Sequence, residues 1–343
     1  MAEARPGTGG ERYVPIDKRS GEKSVVYFTR DLSPEGLVKI YDKVNATLVG
    51  KTAIKLHTGE RNGPNIIPRS WVKELVETRL PNATIIETNT YYDGDRYTTE
   101  KHKQTLEING WDFCPVDITD EDGTVMLPVP GGKWFSEISV GSHLPSYESM
   151  LTLTHFKGHV IGGFGGSNKN IGIGCADGRI GKGQIHADEK TGDMWGIEQE
   201  TLMERICEST LGSITHFGEH NAFINVMRNM SVNCDCEGLN AAPVVTPDVG
   251  ILASFDILAV DQACVDLIYA LPEHGGAAIE ERIETRHGHR QLSYMKELGM
   301  GNDLYTLIDL DNGEQETTPE KAVADIRPGW VPDKYNLPKA RMR

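Results

Sequence analysis

The densest group of reactive side chains lies in one stretch. His155-Phe156-Lys157-Gly158-His159 is followed by Gly162-Gly163-Phe164-Gly165-Gly166-Ser167-Asn168-Lys169-Asn170, and Cys175 closes the run. Glycine lets a backbone turn with positive φ or approach a ligand closely. Seven glycines fall between residues 158 and 174, and around them stand two imidazoles, two ammonium groups and a thiol. Histidine and thiolate are ligands for borderline metals. Lysine binds an anion or, when desolvated, acts as a nucleophile. A histidine near neutrality suits proton abstraction beside a carbonyl. The expected roles are base or ligand for His155 and His159, and anion or cofactor anchor for Lys169. Gly165 and Gly166 are expected where the backbone comes close to a ligand. The stretch matches neither the dinucleotide fingerprint nor the phosphate loop, because Asn170 follows Lys169. A tight turn that binds nothing is the competing explanation.

A second group is Cys234-Asp235-Cys236, whose two thiols could ligate a metal or an iron–sulfur cluster together with Cys175. Against this, residues i and i+2 share a face only in a regular strand. Cys264, at helical spacing with Leu267 and Ile268, reads as core, as do Cys114 and Cys207. Of four aspartates, Asp256 reads as a helix cap, and Asp261 and Asp266 fall inside that helix at different phases. Asp248, before a glycine, is the functional candidate. His216, His220, His287 and His289 read as surface residues.

A third group stands at predicted strand ends. Lys55 and His57 end one strand, and Glu87 to Tyr92 end the next, with Arg96 and His102 beyond. Ligands of open parallel sheets bind outside the carboxyl ends of the strands. Lys55, His57, Asn89, Arg96 and Lys157 are therefore candidates for holding a carboxylate, with solvated strand ends as the alternative.

These groups need elements to position them. Strands are expected at Ser24–Thr29, Thr52–His57 and Ala83–Glu87. The helices between them start at Ser33-Pro34 and near Pro68, and another runs from Thr99 to Ile108. That alternation predicts an α/β fold with mainly parallel sheets and crossover helices. Further strands are expected at Val125–Val129, Trp134–Val140, Met150–Thr154, Phe223–Val226 and Gly250–Ala253. Further helices are expected at Ile197–Phe217, Ala259–Leu271 and His289–Leu298. Residues 1 to 23 read as a flexible arm. A boundary near residue 145 would divide two Rossmann-like lobes, 24–145 and 146–343, unless they form one continuous domain.

The 343 residues suffice for a sizeable core. A net charge of −15 disfavours nucleic acid and anionic lipid as partners. No apolar run is long enough for a membrane span, and the polar N-terminus is no secretory signal. A cytoplasmic protein is expected, with its six cysteines as thiols or ligands.

Several of these segments recur together. Ala53 to Glu60, Thr88 to Tyr92, His155 to Cys175, Cys234 to Cys236, Pro247 to Ile251 and Ala259 to Ala263 resemble, in this order, the domain-of-unknown-function family 362. The resemblance spans roughly residues 24 to 310. Many members of that family carry a ferredoxin-like insertion with two sets of four cluster-binding cysteines. Here only Cys207 lies between Cys175 and Cys234, so those clusters and a ferredoxin-type role are not expected. The glycine-rich loop also resembles that of lactate racemase-type proteins. There, a histidine precedes a Gly-(Phe/Tyr)-x-Gly-Gly-x-Lys loop, and His159 stands ten residues before Lys169 here. The proline usual after that lysine is missing, since Asn170-Ile171-Gly172 follows. This likeness implies a proton-transfer role for His159, a cofactor anchor at Lys169, and His186 as a downstream metal ligand.

The combined expectation is a metal- or cofactor-dependent enzyme acting on a small, carboxylate-bearing molecule by isomerisation or redox chemistry. Its metal is open among nickel, iron, zinc or a single iron–sulfur cluster. The ligand candidates are His186, Cys175, Cys234, Cys236 and Asp248. An electron carrier with one metal or cluster, and a non-catalytic binding protein, are the rivals. A homo-oligomer that completes the site is compatible with the sequence.

Overall fold

A computed structural model describes residues 10–188, 190–193 and 196–329. The first nine residues of the expected arm, and 330–343 of the expected second lobe, lie outside the described residues. The chain begins with β1 (Lys23–Thr29) and α1 (Pro34–Tyr41). The Ser33 hydroxyl accepts from the Gly36 amide at 3.0 Å, which caps α1 where Ser-Pro predicts a start. There follow β2 (Thr52–Lys55), α2 (Arg69–Arg79), β3 (Thr84–Glu87), α3 (Thr99–Ile108) and β4 (Val116–Ile118). A hairpin of β5 (Thr124–Pro128) and β6 (Glu137–Gly141) stands apart from the main sheet.

The second half opens with β7 (Ser149–His155), which delivers the chain into the glycine-rich stretch. That stretch is not a plain loop. It forms a small hairpin, β8 (Lys157–His159) and β9 (Gly163–Gly165), then two short helices, α4 (Ser167–Gly174) and α5 (Ile180–His186). Next come α6 (Gln199–Phe217), β10 (Asn221–Met227), β11 (Gly250–Ser254) and α7 (Ile257–Ala270). Asp256 caps α7 through the Ala259 amide at 2.9 Å, as its position predicts. The described chain ends with α8 (Ala277–Thr285), α9 (His289–Glu297), β12 (Leu304–Asp309), β13 (Gln315–Thr317) and α10 (Pro319–Ala322).

One nine-stranded sheet takes strands from both sides of residue 145, in the order β13-β12-β1-β11-β10-β7-β2-β3-β4. Only β11 and β13 run against the rest, so the sheet is mainly parallel. After β2 the chain moves outward to β3 and β4. After β7 it moves the other way, to β10. The neighbours β2 and β7 therefore flank a topological switch point, where the connections at their carboxyl ends part and leave a crevice.

The strands are buried on both faces, which explains their nearly continuous apolar runs. Ala53, Ile86, Met150, Phe223 and Leu252 face the core under α4, α6 and α7. Ile54, Ile85, Leu151, Ile224 and Ile251 face the core under α1 and α2. Residues 10–23 run along the molecule: Tyr13 stacks on Tyr269 at 3.9 Å between ring centroids, and Arg19 pairs with buried Asp266 at 2.5 Å. His287 and His289 are buried rather than exposed, because α9 packs inward. Among the described residues, no helix is long and apolar enough to cross a membrane.

Candidate functional site

The crevice between β2 and β7 opens into a cavity of about 460 Å³. Its floor is built from strand ends. Lys55, the last residue of β2, and Glu87, the last of β3, meet at 3.0 Å, and both are buried. Glu87 also accepts from the Thr58 amide at 2.9 Å and the Thr58 hydroxyl at 3.0 Å. His57 and Arg96 stand 3.7 and 3.8 Å from it. Burial alone would raise the Glu87 carboxyl, but Lys55, His57 and Arg96 outweigh it and hold the group well below its ordinary value. Arg96 makes its closest ion pair with Glu60, at 2.6 Å, and the Tyr92 hydroxyl donates to the same oxygen.

The opposite wall comes from the glycine-rich stretch and the Cys234 turn. Cys234 precedes a 3-10 turn (Asp235–Asn240), so the pair does not lie on a strand. Both line the cavity. Asp235 points the other way. It accepts from His155 Nδ1 at 2.8 Å and pairs with Lys157 at 2.9 Å. Burial would raise its carboxyl, yet His155 and Lys157 drive it far below the ordinary range. His155 Nε2 faces the Arg228 carbonyl at 2.6 Å. Both ring nitrogens of His155 thus face oxygen acceptors, and the ring is set between Asp235 and the Arg228 carbonyl.

His159 differs. Its Nδ1 accepts from the amides of Gly162, at 2.9 Å, and Ile161, at 3.3 Å. A ring that accepts at Nδ1 carries its proton on Nε2 when neutral. Burial and then Lys169 push its pKa down to about 4, against the pull of Cys234. His159 is therefore a neutral N–H donor near pH 7. The Cys234 thiol is held well below its ordinary value by a hydrogen bond from Cys236, against burial, with Lys169 and His159 adding to it. Ligand atoms of His159, Cys234 and Cys236 all lie within 4.8 Å of one another.

Lys169 lies in the first turn of α4 and reaches the cavity. The N-terminus of α4 is closed by the chain itself: Asp261 of α7 accepts from the Ser167 and Asn168 amides at 2.7 and 3.0 Å. Phosphate loops offer such amides to a ligand, and here a carboxylate takes that place. A Cβ on Gly166 would lie 2.4 Å from that carboxylate, and one on Gly174 would lie 2.1 Å from Lys55 Cε. Tight packing thus explains these two glycines. Gly165 has room for a side chain, so its glycine leaves space on the cavity side.

Of the residues singled out in the sequence, the cavity brings together Lys55, His57, Arg96, His155, Lys157, His159, Gly165, Gly166, Lys169, His186, Cys234 and Cys236. Three others lie elsewhere. The Asn89 side chain turns away to Thr99 and Asp120, at 2.9 and 3.2 Å. Cys175 is in the hydrophobic core, where burial raises its thiol to about 11. Asp248 is exposed and accepts from the Asn229 amide at 2.6 Å, closing the connection from β10 to β11. Cys175 and Asp248 lie outside the cavity lining, and the Asn89 carbonyl accepts from Lys182.

Sequence reasoning missed Lys182. It is buried, lines the cavity, and donates to the Thr88 hydroxyl at 2.6 Å and to the Asn89 carbonyl. Its signal was present: it stands four residues before His186, on the same face of α5. His186 also lines the cavity and stacks against Tyr91 at 6.2 Å. Burial and nearby Lys169, His159 and Lys182 push it down to about 3.

The sequence falls in a recognised family. The chain belongs to the family described as Domain of unknown function (DUF362), whose model matches residues 52–266, more than half of the chain. No curated protein matches it. Among solved structures, the lactate racemase apoprotein from Thermoanaerobacterium thermosaccharolyticum aligns with a TM-score of 0.36 and 13% identity, over 59% of this chain and 50% of that one. A protein from Thermotoga maritima aligns with a TM-score of 0.31 and 12% identity, over 56% of this chain and 49% of its own. The chain thus spans about half the length of each.

Proposed function

We propose that this protein is a metal-dependent enzyme acting on a small carboxylate-bearing molecule in the cavity between β2 and β7. The observation that carries the reading is the convergence of His159, Cys234 and Cys236 at one wall of a cavity rich in cationic side chains. Two thiolates and an imidazole form a borderline-soft donor set that suits zinc, nickel or iron. The thiols are the stronger half of that set. A ligating imidazole normally donates from its other nitrogen. His159 accepts there, so in this ring position the two thiols would hold the metal and His159 would donate its Nε2–H beside it. A bound metal would polarise the carbonyl or carboxylate of the substrate.

The chain's own residues supply the rest. His159 offers an N–H hydrogen-bond donor at Nε2 for a carbonyl or carboxylate oxygen. Its Nδ1 bonds fix the ring, and its low pKa keeps it uncharged beside Lys169. Val160, Ile161, Ile173, Leu202 and Ile206 line the cavity and limit water around that proton. A neutral N–H donor that polarises a carbonyl, among anion-binding groups, fits isomerase-type chemistry in which another group takes the proton from the adjacent carbon. The thiol pair favours a second reading, electron transfer through a single metal. With Cys175 in the core, only two cysteines reach the site among the described residues. That is fewer than the four of a usual cluster.

Elemental analysis of protein purified without air tests the proposal. About one metal per chain is expected, lost in Cys234→Ser/Cys236→Ser and kept in Cys175→Ala. Visible absorption that bleaches with dithionite would favour electron transfer. Protein that takes up no zinc, nickel or iron, and in which His159→Gln alters only stability, would overturn the enzyme reading.

A further inference from the structure

Five strong cations line the cavity: Lys55, Arg96, Lys157, Lys169 and Lys182. The first three are each paired with a buried or half-buried carboxylate: Lys55 with Glu87 at 3.0 Å, Arg96 with Glu60 at 2.6 Å, and Lys157 with Asp235 at 2.9 Å. The other two are not. Lys182 spends its protons on neutral oxygens, the Thr88 hydroxyl and the Asn89 carbonyl. Lys169 has no ion-pair partner among the described residues. Both line the cavity, Lys169 from α4 and Lys182 from α5.

Keeping an ammonium group in a buried position without a counter-charge is costly. The cost is visible at Lys182. Burial lowers its pKa to about 8, with Arg96 and Lys55 acting in the same direction and Asp120 and Glu87 opposing them. The chain as a whole carries a net charge of −15, so no shortage of acidic residues explains the missing partner. A ligand that brings its own negative charge would supply it.

We infer that Lys182, together with Lys169 on the same cavity, forms an anion subsite that takes an oxyanion of the bound ligand, a carboxylate or a phosphoryl group. The inference rests on the cavity being the ligand site, but not on the metal. Lys182 is its anchor, with Thr88 and Asn89 holding the amine in place. Lys169, half-buried on the first turn of α4, lines the same cavity and adds its charge. Binding near pH 8 takes up protons, because the arriving charge favours the ammonium form of Lys182.

Isothermal titration of the full-length protein with oxalate and with inorganic phosphate tests this, with metal content measured on each sample. Wild type is expected to bind at least one probe. Lys182→Gln and Lys169→Gln should each weaken that binding by at least about tenfold. Lys182→Arg should retain part of it. Stronger binding of oxalate assigns the subsite to the carboxylate of a substrate, and stronger binding of phosphate to the phosphoryl group of an organic cofactor. Lys169→Gln lies on the cavity side of a helix and guards against a folding failure in the Lys182 variants. Wild type that binds neither probe, or binding that persists undiminished in both Gln variants, overturns the subsite. Metal-free protein with lysine-dependent anion binding would sink the metal reading and leave the subsite standing.

Discussion

Lys55 and Glu87 lie 3.0 Å apart at the carboxyl ends of adjacent parallel strands, and their side chains are only 1% and 3% exposed. Everything on the cavity floor is referred to this pair. Glu87 also holds Thr58 and sits within 4 Å of His57 and Arg96. Glu87→Gln keeps the shape and removes the charge, leaving a buried ammonium without its partner. The expected loss is about 3–5 kcal/mol, read by urea denaturation near neutral pH. The Glu87 carboxyl is held below its ordinary value, so its contribution is present above the unfolded carboxylate pKa. It is lost as pH falls through the lower folded value. A variant as stable as wild type would show that the pair does not organise the floor.

Gly174 tests the same pair from the other side. A Cβ there would sit 2.1 Å from Lys55 Cε and 2.6 Å from its Nζ. Gly174→Ala must therefore displace Lys55 from Glu87. A destabilisation of about 1–3 kcal/mol is expected from the overpacking alone, together with altered anion binding. Unchanged thermal unfolding and binding would mean that the lysine has another place to go.

Two lysines of the glycine-rich stretch should behave in opposite ways. Lys157 is buried against Asp235 and the His155 carbonyl. Lys157→Met leaves buried Asp235 with His155 as its remaining partner and should cost about 3 kcal/mol. Lys169 has no ion pair among the described residues, and Lys169→Met should leave stability within about 0.5 kcal/mol. The two variants should then separate in a paired assay: the first loses stability, the second loses ligand binding. If both lose stability alike, Lys169 is a packing residue.

The sequence made some of this plain and hid the rest for physical reasons. β2, β3 and β7 are short apolar runs bounded by turn residues, and α1 and α7 begin at side-chain caps, so local chemistry announces them. Lys55 and Glu87 follow, because residues ending neighbouring parallel strands share an edge. The switch point itself depends on β7 pairing with β2, a contact between residues about 97 apart, which no local pattern encodes. The antiparallel strand β11 and the edge strands β12 and β13 are likewise fixed by distant partners. α4 and α5 escaped because glycine is a poor helix former, and Asp261 supplies the cap from another helix. The direction of a side chain is the least legible quantity. It sends Cys175 to the core, turns Asn89 to Asp120, and brings Cys234 and Cys236 to one wall from a 3-10 turn, not from a strand.

His102 offers a test of pH dependence away from the candidate ligands. It is fully buried on α3, and neither ring nitrogen has a hydrogen-bond partner among the described residues. Burial, then Arg96, lowers its pKa to about 3. The unfolded imidazole titrates near its ordinary value of about 6.5. As pH falls below that value, the unfolded chain binds a proton that the folded chain refuses, so stability declines through the window from about 6.5 to 3. His102→Leu removes this contribution and an unsatisfied polar group. The variant should match wild type or gain about 1 kcal/mol near pH 7, and its urea midpoint should fall less between about pH 7 and pH 4. His159 and His186 are depressed in the same direction, so a reduced slope, not a flat one, is expected. Parallel curves for the two proteins would mean that His102 finds a proton partner in the folded state, and that the acid sensitivity arises elsewhere.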